Sequence, residues 1–438
     1  MNRRVKKGLG IGCGGLVFVL LFGIGWVNVD VRRSASRLRT EQTEAQRVGL
    51  PLTPAEVHLP VLPAAENAAT VYARAFEMDT PGSSVGDDLS VVEPAVVAGA
   101  TPQDVSSAKA AIGRLTPLFE ALRGASRLPK CQFPVDWTHV THPDLSHLAH
   151  LRRFARALGF AAQARAGGKE ALADLQVVHR MALHLEQQPF SENLTAAGSI
   201  EGTAEGILDK LLRARGHDPS FLAAARSFHA SFGSLPDFRA AFRTDLVRAL
   251  ATIDQAKTLG DIDENFRFFS RDLLSLFWTP EFKRASEEKL IAAYVALFSA
   301  WGAPAGEPDA ATWSRLAEAG RTIRHQVGAD HSLSNLIANA LFPHPRFFTD
   351  RVASQQMRFR LTETALTLLE ARAKTSTFPA HLPSLGALST DPFSGNPFGY
   401  LTKPPGIILY SIGPDRVDDG GQSHPTGRKT YDVAVYFE

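Results

Sequence analysis

The feature that most constrains this chain is an uncharged apolar segment close to its N-terminus. From Gly8 to Val29 the sequence reads GLGIGCGGLVFVLLFGIGWVNV and contains no Asp, Glu, Lys or Arg. As an α-helix rising about 1.5 Å per residue, a segment of this length spans about 30 Å, the thickness of the hydrocarbon core of a bilayer. The segment therefore predicts a transmembrane helix.

Basic residues precede this segment, as they do in cleavable signal peptides and in uncleaved anchors: Arg3, Arg4, Lys6 and Lys7. No small-x-small cleavage pattern occurs before Asp30, and the apolar run is longer than a usual signal core, which favours an anchor. Arginines that follow the apolar segment nearly equal in number the basic residues that precede it, so charge alone does not set the orientation. A tail this short is typical of a cytoplasmic N-terminus. We therefore predict a single-pass protein of the bacterial inner (cytoplasmic) membrane with its bulk outside the cytoplasm.

The overall charge excludes one class of partner. The chain has 47 basic and 45 acidic residues and a formal net charge of +2, so it lacks the basic field that attracts nucleic acid. Its two cysteines are Cys13, inside the apolar segment, and Cys131, far along the chain. They form neither a disulfide framework nor a metal-binding spacing.

The next region predicts a connector between membrane and body. Residues 31–47 are rich in Arg and Glu with few apolar positions, which favours an exposed helical stalk. Four prolines between residues 50 and 63 then favour an extended linker that ends where Glu66 or Asn67 starts a helix. We assign residues 1–30 to the tail and anchor, and 31–65 to the stalk and linker.

Residues 66–345 have the apolar spacing of a helical domain. Two amphipathic stretches, 151–162 and 172–185, are separated by Gly167-Gly168, a pattern typical of a helical hairpin. Asp218-Pro219 and Thr279-Pro280 resemble helix starts, because proline is tolerated in a first turn. The predicted later helices cover about 193–215, 219–231, 236–258, 281–300, 310–327 and 331–341.

Residues 346–438 have a different character. Arg351 to Lys374 predicts one amphipathic helix with a stripe that contains Met357, Leu361, Ala365 and Leu368. Three short runs rich in Ile, Val and Tyr follow, GYLTK, GIILYSI and YDVAVYF, separated by turn clusters. The predicted fold class is therefore mainly α, with helical hairpins, an N-terminal transmembrane helix and a small C-terminal α+β domain with a three-stranded antiparallel sheet.

The most specific chemical feature is the loop IGPDRVDDGG, residues 412–421. Asp415, Asp418 and Asp419 place three carboxylates within five positions, where they repel one another unless a cation neutralises them. Calcium takes six to eight oxygen ligands from carboxylates and carbonyls, and a glycine-rich loop can supply them. The alternative interpretation is a solvated acidic turn, which Asp and Gly also favour.

The motifs FPAHLPSL, DPFSGNPFGY, ILYSIGPD and VDDGG, within residues 359–438, resemble the globular part of the major pseudopilin of type II secretion systems. That resemblance implies a helix packed on a small antiparallel sheet, a calcium ion and a link to secretion. It implies the Ile412 carbonyl, Asp415, and one or both of Asp418 and Asp419 as the calcium ligands. The middle of the chain resembles membrane-anchored proteins of planctomycete-type bacteria, which implies an architecture but no activity.

A second cluster supports a competing function: His139, His142, His147 and His150. His147 and His150 share a face of a predicted helix, so with His142 or Asp144 they could bind zinc. In the alternative interpretation the cluster binds no metal: Asp144 caps that helix, and the histidines are surface or half-buried groups. The leading prediction is a non-enzymatic, membrane-anchored scaffold or binding protein, and possible partners are envelope or secretion proteins. The alternative is a metal-dependent envelope hydrolase that uses this cluster with Glu186 or Glu192.

Overall fold

A computed structural model gives the fold of the chain. It describes residues 29, 31–96, 100–135, 144–165, 168–232, 237–258, 261–262, 278–302, 308–329, 333–342, 345–403, 406–422 and 432–437. These residues form a mainly helical protein with one small antiparallel sheet close to the C-terminus, as predicted.

The fourteen helices within the described ranges follow one another along the chain, mostly with short connections. They are α1 (31–47), α2 (Ala68–Met78), α3 (Ser84–Val92), α4 (Pro102–Arg114), α5 (Thr116–Ser126), α6 (Ser146–Ala164), α7 (Lys169–Glu186), α8 (Ser191–Arg215), α9 (Pro219–His229), α10 (Phe238–Gln255), α11 (Pro280–Trp301), α12 (Ala310–Ala329), α13 (Leu333–Leu341) and α14 (Pro345–Thr375).

Helix starts follow the capping residues of the sequence. The Asn67 side chain accepts a hydrogen bond from the Ala69 amide at the start of α2. Asp218 caps α9 and Thr279 caps α11, each followed by proline in the first turn, which confirms both predicted starts.

The two helices of the predicted hairpin, α6 and α7, are confirmed, while Gly167 of the predicted turn lies outside the described residues. Helices α6 and α7 pack on each other, and both pack on the long helix α8. The apolar stripes meet in one continuous core, in which Leu151, Phe154 and Leu175 are fully buried. Gly159 permits close packing of α6 on α8, because an added Cβ would lie 2.6 Å from Ile207 Cδ1.

Helix α1 lies against the body, so the prediction of an exposed stalk is wrong. Val31, Leu38 and Ala45 are buried, and Arg37 Nε lies 3.2 Å from Glu288 Oε1 of α11. These three apolar residues recur every seven positions, which gives a narrow stripe between charged neighbours. That stripe is enough to dock the helix.

Helix α14 connects the helical body to the C-terminal sheet. One part of its surface contacts α8, α9 and α12, and another contacts β2 and a 3-10 turn, Gly386–Ser389. The predicted stripe of Met357, Leu361, Ala365 and Leu368 is buried. A separate folding unit from residue 346 onward stays a prediction.

The sheet has strands β1 (Gly399–Lys403), β2 (Gly406–Ser411) and β3 (Val433–Phe437), in the order β1-β2-β3. Both pairs are antiparallel, with Gly399 opposite Tyr410 and Tyr410 opposite Ala434. Gly399 is required there, because an added Cβ would lie 2.1 Å from the Tyr410 ring. The loop between β2 and β3 contains the predicted calcium residues.

Within the described ranges, none of the helices has both the length and the apolar character needed to cross a membrane. The predicted span, Gly8–Val29, lies outside these ranges except for Val29. It stays a prediction.

Candidate functional site

The acidic loop leaves β2 through a series of tight turns. Gly413 and Gly420 have φ values of 71° and 68°, and Arg416 also adopts a positive φ, 61°. Asp415 Oδ1 accepts a hydrogen bond from Val417 N at 3.2 Å, and Asp418 Oδ1 accepts one from Gly420 N at 2.9 Å. Two of the three predicted carboxylates therefore also shape the loop as Asx turns.

A fourth carboxylate, Asp432, belongs to the same place. It lies just before β3, is only 3% exposed and accepts a hydrogen bond from Gly421 N through Oδ2 at 2.7 Å. Its Oδ1 is buried and has no hydrogen-bond partner among the described residues. Burial raises the pKa of Asp432, backbone hydrogen bonds from Gly421 and Asp419 act to lower it, and the charges of Asp418 and Asp419 act to raise it. Asp432 therefore lies at the acidic loop, although it is separated from the loop in the sequence.

Two sequence motifs meet beside this loop. Asp391, the first residue of DPFSG, is buried and accepts a hydrogen bond from Ile412 N through Oδ2 at 3.0 Å. Its Oδ1 accepts one from Phe393 N at 2.9 Å. The DPFSG motif therefore holds Ile412, the first residue of the acidic loop, in place through the Asp391 side chain.

Oxygen donors are the ligands that calcium prefers, and the loop supplies them. In the part of the chain that the structure describes, no three His, Cys, Asp or Glu side chains are grouped so that they could hold a metal. The observation that fits a cation is the unpartnered, buried Oδ1 of Asp432, a carboxyl group whose pKa is raised by burial and by the charges of Asp418 and Asp419. Calcium binding by Ile412, Asp415, Asp418 and Asp419 stays a prediction, to which Asp432 is added.

The predicted histidine cluster is only partly described. His139 and His142 lie outside the described residues. His150 Nδ1 lies 2.7 Å from Oδ2 of the buried Asp79, which also accepts a hydrogen bond from Arg153. These three side chains line a surface cleft of about 630 Å³ between α3 and α6.

The other residues of the hydrolase hypothesis have different partners. The His147 ring stacks on Phe133 with 4.3 Å between ring centroids, and burial lowers the pKa of His147. Glu192 pairs with Arg248. Asp144 Oδ1 accepts a hydrogen bond from Ser146 N at 2.9 Å, at the start of α6, which agrees with the capping interpretation.

Sequence reasoning missed a buried polar network between α7, α8 and α14. Glu201 and Glu205, one turn apart on α8, are both buried. Glu201 accepts a hydrogen bond from Gln355 Nε2, and its Oε1 lies 3.4 Å from His179 Nδ1. The signal was present, since both glutamates interrupt a helix face of alanine and leucine.

Comparison with known protein families, with characterised proteins and with solved structures finds no match for this chain.

Proposed function

We propose that the chain is a non-enzymatic binding or scaffold protein of the bacterial envelope, with calcium stabilising its C-terminal end. In this proposal, Gly8–Val29 tethers the protein to the cytoplasmic membrane and the helical body lies outside the cytoplasm. The observation that carries the calcium part is the buried Asp432, whose Oδ1 lacks a partner in the described ranges while Asp418 and Asp419 lie nearby.

The residues that would hold the ion are the Ile412 carbonyl, Asp415, Asp418, Asp419 and Asp432. When bound, a calcium ion would neutralise carboxylates that otherwise repel one another. The loop is already fixed at both ends, because Asp391 binds Ile412 N and Tyr436 Oη donates to the Gly421 carbonyl at 2.7 Å. A fixed loop loses less conformational entropy when an ion binds.

Helix α14 links the calcium loop's sheet to the rest of the protein, so calcium binding could affect more than the loop. It packs on β2 and also on α8 and α9 of the helical body. Stiffening of the C-terminal sheet would therefore also steady the surface of that body. A secretion-system or other envelope protein is the class of partner that the pseudopilin resemblance favours.

A metal-dependent envelope hydrolase is the second candidate. The observation that favours it is the hydrogen bond between His150 and the buried Asp79 in an open cleft, because a carboxylate orients a histidine for proton transfer or metal binding. This geometry pairs His150 with Asp79 rather than with Glu186 or Glu192.

Metal analysis of the full-length protein, purified in detergent, separates the two candidates. The proposal predicts bound calcium in the native protein and its loss in Asp432→Asn, whereas Asp79→Asn should keep it. Stoichiometric zinc that is lost in Asp79→Asn would contradict the proposal and favour the hydrolase. Capture of envelope proteins from native membranes in calcium, but not in chelator, is the matching test of the binding role.

The membrane tether needs its own test. In spheroplasts, protease added outside should degrade the helical body, and carbonate washing should leave the protein in the membrane fraction. A body that survives in intact spheroplasts would contradict the proposed orientation. Release by carbonate would contradict the tether.

A further inference from the structure

A cleft of about 380 Å³ lies between α8, the start of α10 and α14, far along the chain from the calcium loop. Two of the glycines of α8 leave open space on its wall of the cleft. Gly198 and Gly202 line the cleft, and an added Cβ at Gly202 would meet no atom within 4 Å. Phe238 closes the side formed by α10.

One buried carboxyl group faces this space. Glu205 lines the cleft, is 5% exposed, and its Oε2 has no hydrogen-bond partner in the described part of the chain. Burial raises the pKa of Glu205 to about 8, with Arg358 lowering it and Glu201 raising it. At neutral pH the group is therefore mainly protonated and can donate a hydrogen bond into the cleft.

The wall formed by α14 is basic. Arg351 and Arg358 both line the cleft and are seven positions apart, so they lie on the same face of the helix. Gln355 lies between them and donates to Glu201, whose Oε1 lies 3.4 Å from His179 Nδ1 of α7. With Glu205 neutral, the charge that faces the cleft is positive.

We propose that this cleft binds a small oxyanion, a carboxylate or a phosphate, held by Arg351 and Arg358 and by a hydrogen bond from Glu205. Paired arginines with a fixed fork geometry match such anions. The volume is at the lower end of the range for small-molecule sites. Ser199 also lines the wall, and its hydroxyl can donate to a further oxygen, whereas Thr203 and Ser354 already donate to the carbonyls of Ser199 and Asp350.

Calorimetric titration of the full-length protein with inorganic phosphate, and separately with succinate, tests this site. Saturable binding of either probe is expected at millimolar concentration, and the probe that binds distinguishes phosphate from carboxylate. Arg358→Gln should weaken binding at least tenfold. Absence of binding by both probes, or binding that Arg358→Gln leaves unchanged, would overturn the proposal.

Two glycine variants provide a matched test of location. Gly202→Leu places a side chain in the cleft and should abolish binding. Gly206→Leu, one turn further on the same helix, is the control, because Gly206 also has open space around its Cβ but does not line the cleft. Circular dichroism verifies that both variants fold. Equal binding by the two variants would place the anion elsewhere and overturn the proposal.

The role of Glu205 is read from the pH dependence with succinate, whose charge stays constant above neutral pH. The titratable groups around Glu205 are Glu201 and Asp209 on α8, Arg351 and Arg358 on α14, and His179 on α7, which contacts Glu201. Affinity should fall by up to about tenfold per pH unit above pH 8, as Glu205 becomes charged. Glu205→Gln keeps a neutral donor and should bind with little pH dependence. A wild-type profile as flat as that of Glu205→Gln would overturn the role of Glu205.

Discussion

We expect the variant Arg226→Met to loosen the attachment of α14 to the helical body. Arg226 of α9 donates from Nε and Nη2 to the two carboxylate oxygens of Glu370, each at 3.0 Å, and from Nη1 to Glu363. Its Nη2 also donates to Thr367 Oγ1 at 3.0 Å. Methionine keeps most of the apolar stem, so the change removes the charge and the donors with little loss of packing.

The expected loss of stability depends on how much of this network is buried. The side chains of Glu363 and Arg226 are 12% and 29% exposed. Removing one partner of a fully buried ion pair costs about 3–5 kcal/mol. Here Glu363 keeps the hydrogen bond from His229 Nδ1 at 2.5 Å, and Glu370, 33% exposed, can be hydrated. We therefore expect the free energy of unfolding to fall by about 2–3 kcal/mol.

Urea unfolding of the full-length protein, followed by circular dichroism, measures this loss. A double-mutant cycle with Glu363→Gln should give a coupling free energy of about 1 kcal/mol or more. The matched control is Arg321→Met, because Arg321 and its partner Glu318 are 59% and 64% exposed and such pairs contribute little. An equal loss in both arginine variants, or strict additivity in the cycle, would refute the reasoning.

The same network predicts a pH dependence. Burial acts to raise the pKa of Glu363, but His229 and Arg226 outweigh it, and the pKa lies below 4.5. Because the pKa is lower in the folded state, the carboxylate stabilises the protein above pH 4.5. That contribution disappears as the pH falls through the lowered pKa. The difference in stability between wild type and Arg226→Met should therefore narrow in acid.

Two further predictions concern other buried groups. The pKa of Glu205 is raised to about 8, so wild-type stability should decline from pH 4.5 to pH 8, as the unfolded carboxyl ionises first. Glu205→Gln removes that decline. In urea unfolding, the free energy of unfolding of Glu205→Gln should rise relative to that of the wild type by up to about 1.4 kcal/mol per pH unit over this range. Parallel pH profiles of the two proteins would contradict the prediction. Burial raises the pKa of Cys131 to about 12. Mass spectrometry should find Cys131 alkylated by iodoacetamide only after unfolding, and equal labelling of the native protein would count against its burial.

Much of the fold could be predicted because its signals are local. The spacing of apolar residues predicts helices α6, α7 and α8. The dipeptide Asp218-Pro219 is enough to predict where α9 starts, because a cap and a first-turn proline lie next to each other in the sequence. The strands could be predicted because Ile, Val and Tyr cluster between turn residues. Helix α1 was misjudged because its stripe of Val31, Leu38 and Ala45 is narrow and made of few apolar side chains among charged ones.

The functional sites were harder to predict because they join residues that are distant in the sequence. Asp432 reaches the acidic loop only through the pairing of β2 with β3. Asp79 and His150 meet because α6 packs against α3, and their separation in sequence gives no local pattern. Glu205 looked like an ordinary helix residue until the packing of α14 on α8 buried it. Tertiary packing, not propensity, decides each of these contacts.

Thermal unfolding of the full-length protein in calcium and in chelator is the most direct test of the calcium proposal. At a hundredfold excess over the dissociation constant, calcium should add about 2.7 kcal/mol to the stability of the native state and raise Tm. Magnesium should substitute poorly, because it requires tighter octahedral geometry. Asp432→Asn should lose the calcium-dependent shift, whereas Asp104→Asn, a change in the distant capping box of α4, should keep it. Identical wild-type melting curves in calcium and in chelator would contradict the proposal.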